Sequence, residues 1–253
     1  MLCFNGHGFS LANTGKYSKI QADMIKAILF DMDGILFDSE PWYMNGTIKW
    51  MREYGYTGDD ASVWKILGTT MDETYSILYE LLGGKIPRDE LIRRNERYFG
   101  TEHPMDPADL VFPGVPETVH RLHDQGFLMA VCSSSPRDTV HEVLDRIGIT
   151  DCYDVILSGD EKFPPKPAPD IYLTAAEKLG VLPEECIVYE DSCRGITAGK
   201  RAGMTVIARR DDRFRQDQSG ADHIVEDIFE MASIVSEGEH ICRKSSESAA
   251  EDR

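Results

Sequence analysis

Five short apolar runs recur along the chain, at Ala27–Phe30, Leu128–Cys132, Val155–Leu157, Ile187–Tyr189 and Thr205–Ala208, and stretches of helical periodicity separate most of them. That alternation predicts a parallel sheet with helices on both faces, because strands buried on both sides read as continuous apolar runs. After the second run, Val140, Val143, Leu144 and Ile147 keep an i, i+3, i+4, i+7 spacing and lead into Gly148, the pattern of an amphipathic helix stopped by glycine. Gly126, Gly180 and Gly203 are expected to close further helices, where glycine takes the left-handed C-cap at little cost. The fold class is therefore read as α/β, a doubly wound, Rossmann-like parallel sheet.

One interval breaks the alternation. From Pro41 to Leu110 there are several helical segments and no good strand, too much chain for a simple crossover. Trp42, Ile48, Trp64, Ile77, Leu78 and Leu81 are positioned to build a small core there, so residues 41–110 are read as a helical cap inserted after the first strand. "HPMDPADLVFPG", His103 to Gly114, has the proline content of a return linker. The α/β core is then formed by 24–40 and 111–236. Residues 1–23 lack the apolar stretch of a secretory signal, and both they and the polar tail 237–253 are expected to be disordered, with Met24 an alternative start.

Composition narrows the classes of function. The chain has 253 residues, 42% hydrophobic and 28% charged, as in an ordinary soluble domain. No apolar run approaches the roughly 20 residues that span a bilayer. A formal charge of −17 disfavours nucleic acid and membrane surfaces as partners and requires a locally positive pocket for any small anion. The cysteines at 3, 132, 152, 186, 193 and 242 show no CxxC spacing, which reads as free thiols in a reducing, cytoplasmic compartment. A monomer is expected.

In an open α/β sheet ligands bind beyond the carboxyl ends of the strands. The residues just past each run are therefore candidates for a site: Asp31 and Asp33 after the first, Ser133, Ser134 and Ser135 after the second, Lys166 in "PPKPAPD" after the third, and Glu190 and Asp191 after the fourth. Adjacent carboxylates repel, so a positive partner is expected. Hard oxygen ligands in this number suit Mg²⁺, and a carboxylate beside it can serve as nucleophile in phosphoryl transfer. Competing readings attach to several positions. Ser135 before Pro136 reads as a helix N-cap. Glu190 and Asp191 can cap the next helix. "RRNERY", Arg93 to Tyr98, reads as an exposed helix face, the alternative being Arg94 and Asn95 turned toward a substrate. Trp42 and Tyr43 either pack within the cap or line the cleft.

"DMDG", "VCSSS", "KPAPD" and "YEDS", in this order, resemble the haloacid dehalogenase superfamily in its β-phosphoglucomutase-like phosphatase branch, over about residues 26 to 232. The resemblance implies Asp31 as nucleophile and Asp33 as general acid/base. It implies Ser133, Ser134 and Lys166 at the transferring phosphoryl group. It implies Mg²⁺ held by Asp31, Glu190, Asp191 and the backbone carbonyl of Asp33. Within the superfamily, dehalogenases lack the second aspartate, and phosphonoacetaldehyde hydrolases need a cap lysine that Lys49 does not match in position. β-Phosphoglucomutases carry a histidine where this chain has Tyr43 and an arginine where it has Met71. A receiver domain would have neither Asp33 nor the insertion. A phosphatase of a small phosphorylated metabolite, a sugar or polyol phosphate, is the expectation, with a phosphosugar mutase as the alternative.

Overall fold

The computed structural model describes residues 25–236. The expectations for 1–23 and 237–253, for Met24 as a start, and for Cys3 and Cys242 fall outside the described residues. Six strands form one parallel sheet: β1 (Ala27–Phe30), β2 (Leu128–Cys132), β3 (Val155–Leu157), β4 (Cys186–Glu190), β5 (Thr205–Arg209) and β6 (His223–Val225), in the order β3-β2-β1-β4-β5-β6. Five of them are the runs read from sequence, two extended by a residue or more. β6 has no counterpart among those runs: three residues opening on a histidine and flanked by acids carry no apolar stretch to detect.

Successive residues of β1 feed opposite faces, as the pleat requires. Ile28 and Phe30 join a cluster with Val115, Val119 and Leu122 of α5 (Val115–Asp124) and Val140, Val143, Leu144 and Ile147 of α6 (Arg137–Ile147). Ala27 and Leu29 join another with Ile171, Tyr172 and Ala175 of α7 (Asp170–Leu179) and Ile196 and Ala198 of α8 (Cys193–Arg201). Gly148 and Gly180 end α6 and α7 at φ of 74° and 71°. β1 lies between β2 and β4, and Phe30 faces Val131 on one side and Tyr189 on the other. The chain leaves these three central strands at one edge, the switch point of the sheet.

The insertion is helical: α1 (Ser39–Glu53), α2 (Asp60–Val63), α3 (Met71–Leu81) and α4 (Arg88–Arg97). It has a hydrophobic cluster of its own, built on Trp50, Met51, Tyr75, Leu78 and Leu91, with Ile48, Trp64, Ile77 and Leu81 packed against it. A capping box starts α3: Thr70 accepts from the Glu73 backbone while Glu73 accepts from the Thr70 backbone. Arg94 and Asn95 are buried rather than exposed on a helix face. Arg94 donates to Glu53 at 2.6 Å and to Glu102 at 2.8 Å, tying α4 to α1. Arg93, Glu96 and Arg97 keep the exposed face expected from sequence, while the buried Arg94 turns inward and pairs with carboxylates that stay partly in water.

No helix among the described residues is long and apolar enough to cross a membrane. Cys132, Cys152, Cys186 and Cys193 form no disulfide.

Candidate active site

The switch point gathers what the sequence placed after separate strands. Lys166 reaches across 135 positions of chain to donate to Asp31 Oδ1 at 2.6 Å and to Glu190 Oε1 at 2.9 Å. Its side chain is only 6% exposed, and the ring of Tyr172 lies 4.9 Å beneath the ammonium. Burial works against the lysine's charge, but Asp31 and Glu190 outweigh it and hold its pKa well above the ordinary value.

Glu190 is fully engaged. Oε1 accepts from Lys166 and from the Tyr172 hydroxyl at 3.1 Å; Oε2 accepts from the backbone of Asp191 and Ser192, both at 2.8 Å, and from the Ser192 hydroxyl at 3.0 Å. Burial would raise this carboxyl, yet Lys166 and these donors hold it below its usual value. Asp191 is the opposite case. Its Oδ2 is buried without a hydrogen-bond partner, and burial followed by Glu40, Glu190 and Asp31 pushes its pKa well up. Asp31 is pushed up to about 8, burial leading, Lys166 opposing, and Glu190 and Asp33 adding to the rise. Neither acid caps α8; Ser192 does, accepting from the Gly195 backbone at 3.0 Å.

Ligand oxygens of Asp31, Glu190 and Asp191 lie within 4.8 Å of one another. An orphaned, buried carboxylate oxygen inside a triad of acids is the donor set of a hard divalent cation, so the residues fit Mg²⁺. Two glycines make room for the triad. A Cβ on Gly34, at φ +75°, would stand 2.2 Å from Asp191 Oδ2, and one on Gly195 would stand 1.5 Å from Glu190 Oε1. A second group, Glu40, Asp191 and Asp211, adjoins the first; Glu40 is pushed up to about 8 by burial, then by Asp211 and Asp33.

Asp33 sits in a different environment from Asp31. Ser39 donates to its Oδ1 at 2.7 Å and Ser135 to its Oδ2 at 2.8 Å. The expected capping role of Ser135 does not hold: Pro136 occupies the N-cap of α6 with no side-chain cap, because the hydroxyl is spent on Asp33. Ser133 is buried, and its Oγ accepts from the Ser135 backbone at 3.0 Å. Ser134 is exposed. Sequence reasoning left out Ser39 and Tyr172. Neither lies in a motif, although Ser39 at the head of the insertion is close to Asp33 along the chain.

Above the acids, Tyr43 stacks on Phe99 with centroids 4.7 Å apart, and its hydroxyl lies 3.5 Å from Asn95 Oδ1. Trp42 packs on the same ring at 4.6 Å. Both therefore pack within the cap, and burial followed by Tyr75 raises the Tyr43 hydroxyl above its usual range. Met71 is exposed at the head of α3.

The model of the family described as haloacid dehalogenase-like hydrolase matches residues 28–209. The chain is 32% identical over 186 residues to the phosphorylated carbohydrates phosphatase of Thermotoga maritima, covering 71% of this chain and 82% of that protein. It is 33% identical over 202 residues to hexitol phosphatase B of Escherichia coli, covering 75% and 88%. Among solved structures it superposes on β-phosphoglucomutase from Clostridium difficile with a TM-score of 0.68 at 23% identity, over 85% of this chain and 98% of that one, a likeness of fold.

Proposed function

The chain belongs to the haloacid dehalogenase-like hydrolases and is a phosphoric monoester hydrolase, and from that premise we propose a Mg²⁺-dependent phosphatase of a small sugar or polyol phosphate that works through a phosphoryl group carried on Asp31. The observation that carries this reading is the division of labour between two carboxylates two residues apart. Asp31 lies against Lys166 and the acid triad, whereas Asp33 is held by two hydroxyls outside that triad.

In the first half-reaction an Asp31 oxygen attacks phosphorus, the ester P–O bond breaks, and Asp33 gives its proton to the departing alkoxide. In the second, water attacks phosphorus and yields a proton to Asp33, and the acyl-phosphate bond breaks with its electron pair returning to Asp31. Lys166 and Ser133 hold the phosphoryl oxygens. Asp31, Asp191 and the Asp33 carbonyl would hold Mg²⁺; Glu190, expected as a further ligand from the sequence and third member of the acid triad, has oxygens that already accept five hydrogen bonds, so in this reading it contributes charge to the site and anchors Lys166. The metal supplies positive charge that offsets the phosphoryl and carboxylate charge as they approach.

Names of relatives support the substrate class: phosphorylated carbohydrates in one case and hexitols in the other. A mutase must also grip a second phosphate with its cap. Met71 offers no charge for that, and Arg94 is engaged by Glu53 and Glu102. The reading includes action as a monomer in the cytoplasm, a setting with which the four unpaired thiols among the described residues accord.

The test is phosphate release from a panel of hexose and hexitol monophosphates with Mg²⁺. Release over many turnovers is expected, with little glucose 6-phosphate formed from β-glucose 1-phosphate even when primed with the 1,6-bisphosphate. Mutase flux exceeding phosphate release would overturn the reading.

A further inference from the structure

We propose that Ser135 is a positioning residue for Asp33, holding its carboxylate in the orientation from which it gives and takes the proton in hydrolysis; the inference rests on the function proposed above. Three observations converge on it. The hydroxyl donates to Asp33 Oδ2 at 2.8 Å across 102 positions of chain. It is not spent on the helix it precedes, since α6 begins at Pro136 without a side-chain cap. And the backbone that carries it is pinned on both sides. The Ser135 N–H donates to Ser133 Oγ at 3.0 Å, and its carbonyl accepts from Gly159 N–H at 2.8 Å. Gly159 lies so close that a Cβ there would stand 2.2 Å from the Ser134 carbonyl oxygen and 3.3 Å from that of Ser135.

The two hydroxyls on Asp33 differ in what carries them. Ser39 is the first residue of α1, the helix that runs on into the cap, so its bond depends on where that helix stands. Ser135 belongs to the loop after β2, the same loop that presents Ser133. The carboxylate thus keeps a partner fixed to the sheet, and the proton-transfer group is referenced to the phosphoryl pocket whatever the cap does.

A hydroxyl suits this post because it carries a donor that a carboxyl group accepts in either form. It donates to Asp33 as carboxylate, the form that takes a proton from water. It goes on donating to the unprotonated oxygen of the carboxylic acid, which leaves the acid O–H free to give its proton to the leaving alkoxide. Removing it leaves Asp33 present but free to swing, and a misplacement of about 1 Å at a reacting group can cost on the order of a hundredfold in rate.

Leaving groups of rising basicity read this role directly. p-Nitrophenolate departs without a proton, phenolate needs one in part, and benzyl alkoxide cannot leave without it. With Mg²⁺ present, kcat/KM for p-nitrophenyl, phenyl and benzyl phosphate is measured for the wild type, Ser135→Ala, Ser135→Thr and Asp33→Asn, together with each melting midpoint. Ser135→Ala is expected to keep kcat/KM for the p-nitrophenyl ester within about twofold and to lose about tenfold or more on the benzyl ester, a smaller copy of the Asp33→Asn pattern. Ser135→Thr, which keeps the hydroxyl, restores the benzyl rate.

An equal loss on all three esters would overturn the proposal, because it would assign Ser135 to phosphoryl binding or to the fold. So would no loss at all, or a Thr variant as impaired as Ala. If Ser135→Ala does not fold, the Thr variant decides: wild-type ester selectivity supports the proposal, and selectivity shifted toward p-nitrophenyl overturns it. Wild-type turnover that persists in Asp31→Asn would instead refute the proposed function itself.

Discussion

Asp31 and Asp33 are the same residue type two positions apart, and their surroundings give them different expected losses. On the proposed mechanism Asp31→Asn removes the nucleophile and a metal ligand while nearly preserving shape, so it is expected to abolish phosphate release with the melting curve little changed. Retention of more than about a tenth of activity, a barrier change under roughly 1.4 kcal/mol, would contradict the assignment. At the metal, activity is expected to vanish with a chelator and return with Mg²⁺, and Asp191→Ala to raise the Mg²⁺ concentration for half activity. Gly34→Ala should do the same from the opposite side: a left-handed residue costs about 1–2 kcal/mol when it gains a Cβ, and this Cβ would press on the orphaned Asp191 oxygen. A Gly34→Ala enzyme with unaltered Mg²⁺ dependence would count against Asp191 as a ligand. At this scale the sequence is informative wherever a residue ends a buried strand, since β1, β2 and β4 leave little freedom to the positions just beyond them. Partners of those residues are not legible. Ser135 reads locally as a cap, and only the tertiary approach of Asp33 redirects its hydroxyl.

Elements divide along the same line. α6 is written in its spacing and its glycine; in α4 the exposed face of Arg93, Glu96 and Arg97 is legible but the inward turn of Arg94 is not, because a run of charges does not mark which member is buried. Arg94→Met is expected to cost about 1–2 kcal/mol in chemical denaturation, less than the roughly 3–5 kcal/mol for breaking a fully buried pair. The reason is that Glu53 and Glu102, 51% and 39% exposed, can be rehydrated. Turnover of monophosphates should stay within about twofold of wild type. A second element contact is pH-dependent. Arg146 of α6 donates to Asp106, Nε to Oδ1 at 2.8 Å, and holds that carboxyl down to about 2. A carboxyl lowered in the folded state stabilises above its unfolded value, about 3.9, and loses that contribution as pH falls through its folded value. Arg146→Ala is therefore expected to lower the melting midpoint slightly at neutral pH, where the contribution is fully present, and to converge on the wild type as pH falls from about 4 to about 2, which flattens the acid limb; an unchanged acid limb would show the clasp inert.

At the scale of the molecule, the cap meets the core through contacts that no local pattern announces. Arg194 reaches Glu73 at 3.2 Å and Phe214 lies edge-on to Trp64 at 5.8 Å, while Arg213 grips both oxygens of Asp38, just ahead of the helix that enters the cap, at 2.8 Å. These come from residues far apart in the chain with no shared period, whereas the sheet, the insertion and the acids each show in a short stretch of sequence. Such contacts tie the cap to the sheet, and no short stretch of sequence carries them. The central claim concerns chemistry beneath any cap: phosphate passes through Asp31. Quenching the enzyme in acid during turnover with Mg²⁺ and p-nitrophenyl phosphate, and locating phosphate by mass spectrometry, tests it most directly. A phosphoryl group on the peptide containing Asp31, enriched in Asp33→Asn and absent from Asp31→Asn, is the result expected. Sustained phosphate release with no phosphoryl group on that peptide in either the wild type or Asp33→Asn would contradict it.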